Sequence, residues 1–241
     1  MSIDGFEDWI ASPLGSYLLE REQQRFDRMV ADVFGFNAVQ LGFEGFDLLR
    51  ANRMANRFRA GRDGRAALLA DFEQLPFAGN SVDLLLMPHV LEFSANPHQV
   101  LREAERVLIP EGQVVISGFN PWSLWGLGRR LPGWRENYPW RGRFISLPRL
   151  KDWCALLGFE IVAGAFCCYA PPLANERWRE RFRFMEKAGD RWWPVGAGVY
   201  IVQAKKRVHG LRLITPSWNE VAATRKAMAP AAQKTMMKDE A

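Results

Sequence analysis

ADFEQLPFAGNSVDLLLMPHVLEFSANPHQVLREAERVLIPEGQVVISGFNPWSL, residues 70–124, holds two strands and the helix between them. Val82 to Met87 is an apolar run bounded by polar residues, the pattern of a strand covered on both faces. Asn96-Pro97 opens a helix, because an amide can cap the first turn and proline fits there without losing a needed donor. Val100, Leu101, Ala104, Val107 and Leu108 give that helix one apolar face, and Pro110 stops it from continuing. Gln113 to Gly118 then reads as the next strand. A strand, helix, strand order implies a right-handed crossover and a parallel sheet.

The same stretch carries an ordered set of signals. Asp71 stands four residues before Leu75-Pro76-Phe77, Ser81-Val82-Asp83 opens the apolar strand, and Leu91-Glu92 follows it. Arg102-Glu103 precedes Arg106-Val107-Leu108, and Pro110-Glu111-Gly112 precedes the last strand. Together they resemble the second half of the core of class I S-adenosylmethionine-dependent methyltransferases, in particular the type 11 group. The resemblance implies an α/β fold: a Rossmann-like three-layer sandwich around a mostly parallel seven-stranded sheet, closed by a terminal antiparallel pair. It also implies S-adenosyl-L-methionine as cofactor and methyl transfer as activity.

Before this block, Ser12-Pro13 starts a helix in which Phe26, Met29, Val30 and Val33 repeat at helical spacing as far as Gly35. Asn37 to Leu41 reads as a short buried strand. Phe46 to Met54 has length for a short helix only; a strand around Phe58 and an apolar run over 66–70 follow, so the first half of the sheet is shortened. After the block, Ser146 to Leu157 reads as a helix closed by Gly158, with strands at 160–168 and 199–205. The expected organisation is an N-terminal helical cap at 1–35, a methyltransferase-like domain at 36–214 with an insertion at 171–196, and a flexible tail at 215–241.

The resemblance assigns roles to individual positions. Its first strand ends in an acid followed by a Gly-x-Gly-x-Gly turn, where the acid holds the cofactor's ammonium group and the turn admits its backbone approach. Gln40 stands at the acid, Gly42 at the first glycine and Glu44 at the second, while Phe46 replaces the third and Gly45 can restore part of the turn's freedom. The exchange of a carboxylate for an amide implies a loss on the order of 1 kcal/mol in cofactor binding. Asp63, 21 residues beyond Gly42, matches the acid that holds the ribose hydroxyls, although Arg62-Asp63-Gly64 also reads as a simple turn. Asp71 and Phe72 match the positions that hold the adenine amine and ring. Pro88 and His89, at the end of the apolar strand, occupy the methyl-transfer pocket; His89 is either a general base or a structural histidine. Asn120 and Trp122 line the substrate entrance by the same resemblance.

Composition narrows the classes of partner. A chain of 241 residues, 48% hydrophobic, buries one sizeable core. The acidic start and the lack of a spanning apolar run predict a cytoplasmic location. Cys154, Cys167 and Cys168, with His89, His98 and His209 scattered, match no metal-ligand spacing, so no metal is expected. From 121 to 187 there are 12 Lys/Arg against 6 Asp/Glu, and Trp122, Trp125, Arg129, Arg130 and Trp134 interleave there. That mixture suits a small or amphipathic methyl acceptor and allows a peripheral membrane contact. Arg177, Arg179, Arg181 and Arg183 would spread around a helix instead of forming one stripe, which argues against nucleic acid. The alternative to an enzyme is a methyltransferase-like scaffold without turnover.

Overall fold

The computed structural model describes residues 4–62, 66–129, 137–172, 181–182, 185–186, 189 and 196–208. The tail, Asp63, and most of the 171–196 insertion lie outside the described residues. The strands are β1 (Asn37–Leu41), β2 (Asn56–Gly61), β3 (Leu68–Leu69), β4 (Val82–Pro88), β5 (Leu108–Phe119), β6 (Phe159–Cys167) and β7 (Val199–Lys206). The helices are α1 (Asp4–Ile10), α2 (Pro13–Val30), α3 (Val90–Phe93), α4 (Pro97–Val107), α5 (Leu124–Gly128) and α6 (Leu147–Leu156). The strands form one seven-stranded sheet in the order β3-β2-β1-β4-β5-β7-β6. All pairs from β3 to β5 are parallel, and β7 runs antiparallel to both β5 and β6.

Alternation along β4 explains the layers. Leu85 and Met87 face one core with Val100, Leu101 and Ala104 of α4 and Leu150 and Cys154 of α6. Leu84 and Leu86 face the other core, with Phe6 and Ile10 of α1 and Leu14, Leu18, Phe26 and Val30 of α2. Both faces of the strand are therefore dry, which is why its sequence is a continuous apolar run. Ser12 caps α2 by accepting the Gly15 N–H at 3.1 Å. Helix α1 precedes that cap; the periodicity signal had begun only at Ser12. No helix of the described residues is long and apolar enough to cross a membrane.

The expected short helix after β1 is absent. Residues 42–55 are turns, held by buried side-chain amides in place of helical bonds. Gln40 Nε2 donates to the carbonyls of Gly42, Phe43 and Phe46 at 2.8–3.1 Å, and its Oε1 accepts the Leu48 N–H at 2.9 Å. Asn52 Nδ2 donates to the carbonyls of Val30 and Val33, and its Oδ1 accepts the Met54 N–H. Residues 62–67 join two parallel strands, a link too short for an ordinary crossover. It suffices because β3 pairs only with the end of β2, Ala60 with Leu68 and Gly61 with Leu69, so the chain need not return along the strand.

Candidate active site

The carboxyl ends of β1, β4 and β5 meet around His89. Its backbone is left-handed, φ 51°, at the turn from β4 into α3. That conformation costs a non-glycine residue about 1–2 kcal/mol and aims the ring between two carboxylates. Nδ1 lies 2.6 Å from Glu92 Oε2 and Nε2 lies 2.8 Å from Glu22 Oε1, and all three side chains are buried. Burial alone would push the His89 pKa down, but Glu22 and Glu92 outweigh it and hold the imidazolium at about 10. Burial also raises the pKa of Glu92, against the pull of His89. The second oxygen of Glu92 accepts the Phe119 N–H at the end of β5. His89 thus clamps α2, α3 and β5 together, and both its ring nitrogens are taken. A general base needs one of them open, so the bonding of His89 in this arrangement matches a structural histidine and not a base.

Glu22 was missed by the sequence reading. The signal was present: Leu14, Leu18, Glu22, Phe26 and Val30 recur every fourth residue, so one carboxylate interrupts an otherwise apolar stripe that is buried throughout. The rings against His89 come from three segments. Phe119 lies 4.1 Å from it, Phe6 5.6 Å and Phe43 5.9 Å, and Phe6 also meets Phe93 at 4.8 Å. Helix α1 therefore fills the space beside the β1 turn with its own phenyl ring.

The β1 turn begins at Gly42, φ 73°, which suits glycine, and Phe43 follows at φ 51° with its side chain buried. The Gln40 amide points at the turn's carbonyls and not outward, so the ammonium-binding role expected for it does not match its bonding here. Glu44 turns its carboxylate onto β2: a Cβ on Gly61 would sit 1.5 Å from Glu44 Oε1. Gly45 has open space around it. Pro88 is buried beside Ser117 in the β4–β5 register.

At the ends of β2 and β3 an open cleft of about 510 Å³ is lined by Arg62, Leu69, Ala70, Asp71, Glu73 and Ala95. The Asp71 side chain is 62% exposed at its rim and pairs with Arg62 at 3.2 Å. Arg62 Cζ lies 5.0 Å over the buried Phe72 ring. A second cleft of about 310 Å³ also reaches Ala95 and continues past Pro97, Trp122, Arg143 and Arg149 to Trp153. Asn120 is buried and holds the intervening turn, donating to Ala197 O and accepting the Trp122 N–H, both at 3.0 Å. It therefore fixes the entrance without facing it, while Trp122 is 72% exposed.

An S-adenosylmethionine molecule finds a mixed fit. Its adenine end has an exposed carboxylate, an aromatic face and an open cleft, once Arg62 moves aside. Its methionine end does not fit the residues as arranged, because Gln40 is saturated and Phe6 and Phe43 pack against His89.

Residues 35–116 match the family model described as Methyltransferase domain. The Escherichia coli protein YafS is 34% identical over 156 residues, which are 64% of this chain and 65% of that protein. A malonyl-[acyl-carrier protein] O-methyltransferase from Methylovorus is 32% identical over 100 residues, 42% of this chain and 33% of that enzyme. The chain thus spans less than two thirds of the length of these relatives. A Haloferax volcanii structure, the complex of the Trm112 methyltransferase activator with a methyltransferase, superposes with a TM-score of 0.64 at 16% identity, over 86% of this chain and 97% of that one. The strand order and the structural neighbours agree on the fold of the class I S-adenosylmethionine-dependent methyltransferases, and residues 35–116 carry the match to the methyltransferase domain.

Proposed function

We propose that the chain is a methyltransferase that takes its cofactor's adenosine at the Asp71 cleft and a small or amphipathic acceptor in the cleft beside Trp122. The observation that carries the reading is the junction of the two clefts at Ala95. A two-substrate transferase needs donor and acceptor sites that adjoin, since most of its rate enhancement comes from holding the reactants in line. In this reading Asp71 and Phe72 hold adenine, and α1 withdraws Phe6 from the β1 turn when the methionine end enters.

The second reading is a binding protein of the same family without turnover. It is favoured by the bonding of Gln40 and His89, each of which satisfies the chain's own groups.

Calorimetric titration with S-adenosylmethionine and S-adenosylhomocysteine, on the parent chain and on Phe6→Ala, separates them. The enzyme reading expects binding in the parent and tighter binding in Phe6→Ala, which has no ring to withdraw. Absence of binding in both at millimolar ligand would sink it and leave the second reading.

A further inference from the structure

We infer that the cleft beside Trp122 is an organic-anion site, built for a carboxylate or phosphate carried on a flat apolar body. This deepens the proposed function by naming the acceptor class, and it rests on that reading only in calling the ligand an acceptor.

Among the described residues, the cations in the cleft have no carboxylate to neutralise them. Arg143 and Arg149 line it with His98, and no Asp or Glu does so among the described residues. Other arginines of the described residues do have carboxylate partners: Arg50 with Asp27, Arg62 with Asp71, Arg106 with Glu103, and Arg207 with Glu111 and Glu160. Neither Arg143 nor Arg149 is among the ion pairs of the described residues. Two guanidinium groups in one cleft can each offer an anion a fork of donors and together raise its local concentration.

The apolar part is equally specific. Trp153 lies against His98, with ring centroids 4.0 Å apart and the planes tilted by 50°, and carries Arg149 at 5.1 Å over its ring. Phe144 is backed by Phe119 at 5.0 Å, so it cannot retreat into the core. Across the opening, Trp122 leaves most of its surface in water although its backbone is fixed by Asn120. An exposed indole on a fixed turn offers a flat partner a large apolar face, and with only two side-chain torsions it loses little rotamer freedom on binding. The volume of about 310 Å³ suits a ligand of one or two rings.

The test is calorimetric titration of the full chain with 2-naphthoate, with the neutral 2-naphthalenemethanol and with inorganic phosphate. It is repeated on the double variant Arg143→Ala/Arg149→Ala and on Trp122→Ala. Both arginines are exposed, so the double variant is expected to fold, with its thermal midpoint as the control. Naphthoate should bind about tenfold more tightly than the alcohol, and the double variant should erase that difference. Trp122→Ala should weaken both aromatic ligands alike. Equal affinity for acid and alcohol, or naphthoate binding unchanged in the double variant, would overturn the anion site. Phosphate binding as tightly as naphthoate would overturn the role of the flat body. S-adenosylmethionine is titrated separately: naphthoate binding without cofactor binding leaves this inference standing and removes the methyltransferase reading, and the reverse removes only this inference.

Discussion

The two halves of the sheet solve the same topology with different chemistry. From β4 through β5 to β7, largely apolar strands are sandwiched between helices, and the burial runs unbroken along β4 apart from Asp83. From β1 to β3, the strands shrink to two residues at the edge, β2 is exposed over its first four residues, and no helix crosses between them. There, the side-chain amides of Gln40 and Asn52 supply what helices supply elsewhere. The first half of such a sheet can therefore lose its helices and its glycine turn, provided polar side chains bond the backbone that is left behind. In this arrangement the rings of Phe6 and Phe43 occupy the space beside the β1 turn.

The largest way to break this comparison is at the clamp that joins the halves. His89→Ala leaves Glu22 and Glu92 buried with no cation between them, and removing one partner from a buried ionic cluster costs about 3–5 kcal/mol. Chemical denaturation should show that loss. The pH dependence has a definite sign. The folded pKa of His89, about 10, lies above its ordinary value of 6.5, so its stabilisation is complete below about 6.5 and is lost as pH rises toward 10. The raised pKa of Glu92 acts in the same direction over a lower range. The thermal midpoint should fall from pH 6.5 to 10, and this slope should be weaker in His89→Gln. An unchanged slope would mean that the imidazole is neutral in the fold.

Within the second half, Leu86→Ala removes a fully buried side chain from the α2 face of β4 and should cost about 3 kcal/mol. The matching test at the sheet's far edge, Leu69→Ala, touches a side chain that is 67% exposed and should cost less than about 0.5 kcal/mol. Equal losses would show that β3 is as integral as β4.

Gln40→Glu restores the acid that the family carries at this position. It should nonetheless destabilise the chain by about 2–3 kcal/mol, because a carboxylate cannot donate to the three carbonyls that the amide now serves. A gain in cofactor affinity without loss of stability would show that the turn can rearrange around an acid, and that the difference between the halves is shallow.

These contrasts explain what could be read in advance. Periodicity located β4, α4, β5 and α6 because burial on fixed faces dictates residue type there, and Ser12 and Asn96 announced their helices through capping chemistry. Residues 46–54 have length for a short helix, but they lie within the turns of 42–55. Their bonding depends on where two amides point, which no spacing reveals. The site was legible in position more than in role. Gln40, His89 and Asn120 all sit at the carboxyl ends of the strands, yet each spends its polar atoms on the chain itself. Asp71 and Trp122 remain exposed, at the two clefts that adjoin.

Arg62 tests whether the worn half still holds a ligand. Its ion pair with Asp71 is mostly solvated on the carboxylate side, so Arg62→Ala should cost no more than about 1 kcal/mol of stability. The same change uncovers the Phe72 ring that the guanidinium now covers at 5.0 Å. If adenine stacks there, its affinity should rise several-fold in Arg62→Ala, because the ligand no longer has to displace a cation. Asp71→Ala should lower it by about 1 kcal/mol in the same assay, through loss of the acceptor for the adenine amine. Opposite responses from two partners of one ion pair cannot arise from a general loosening of the fold, which would move both variants together. They would locate the adenine, and they would show that this half of the sheet keeps its nucleoside end.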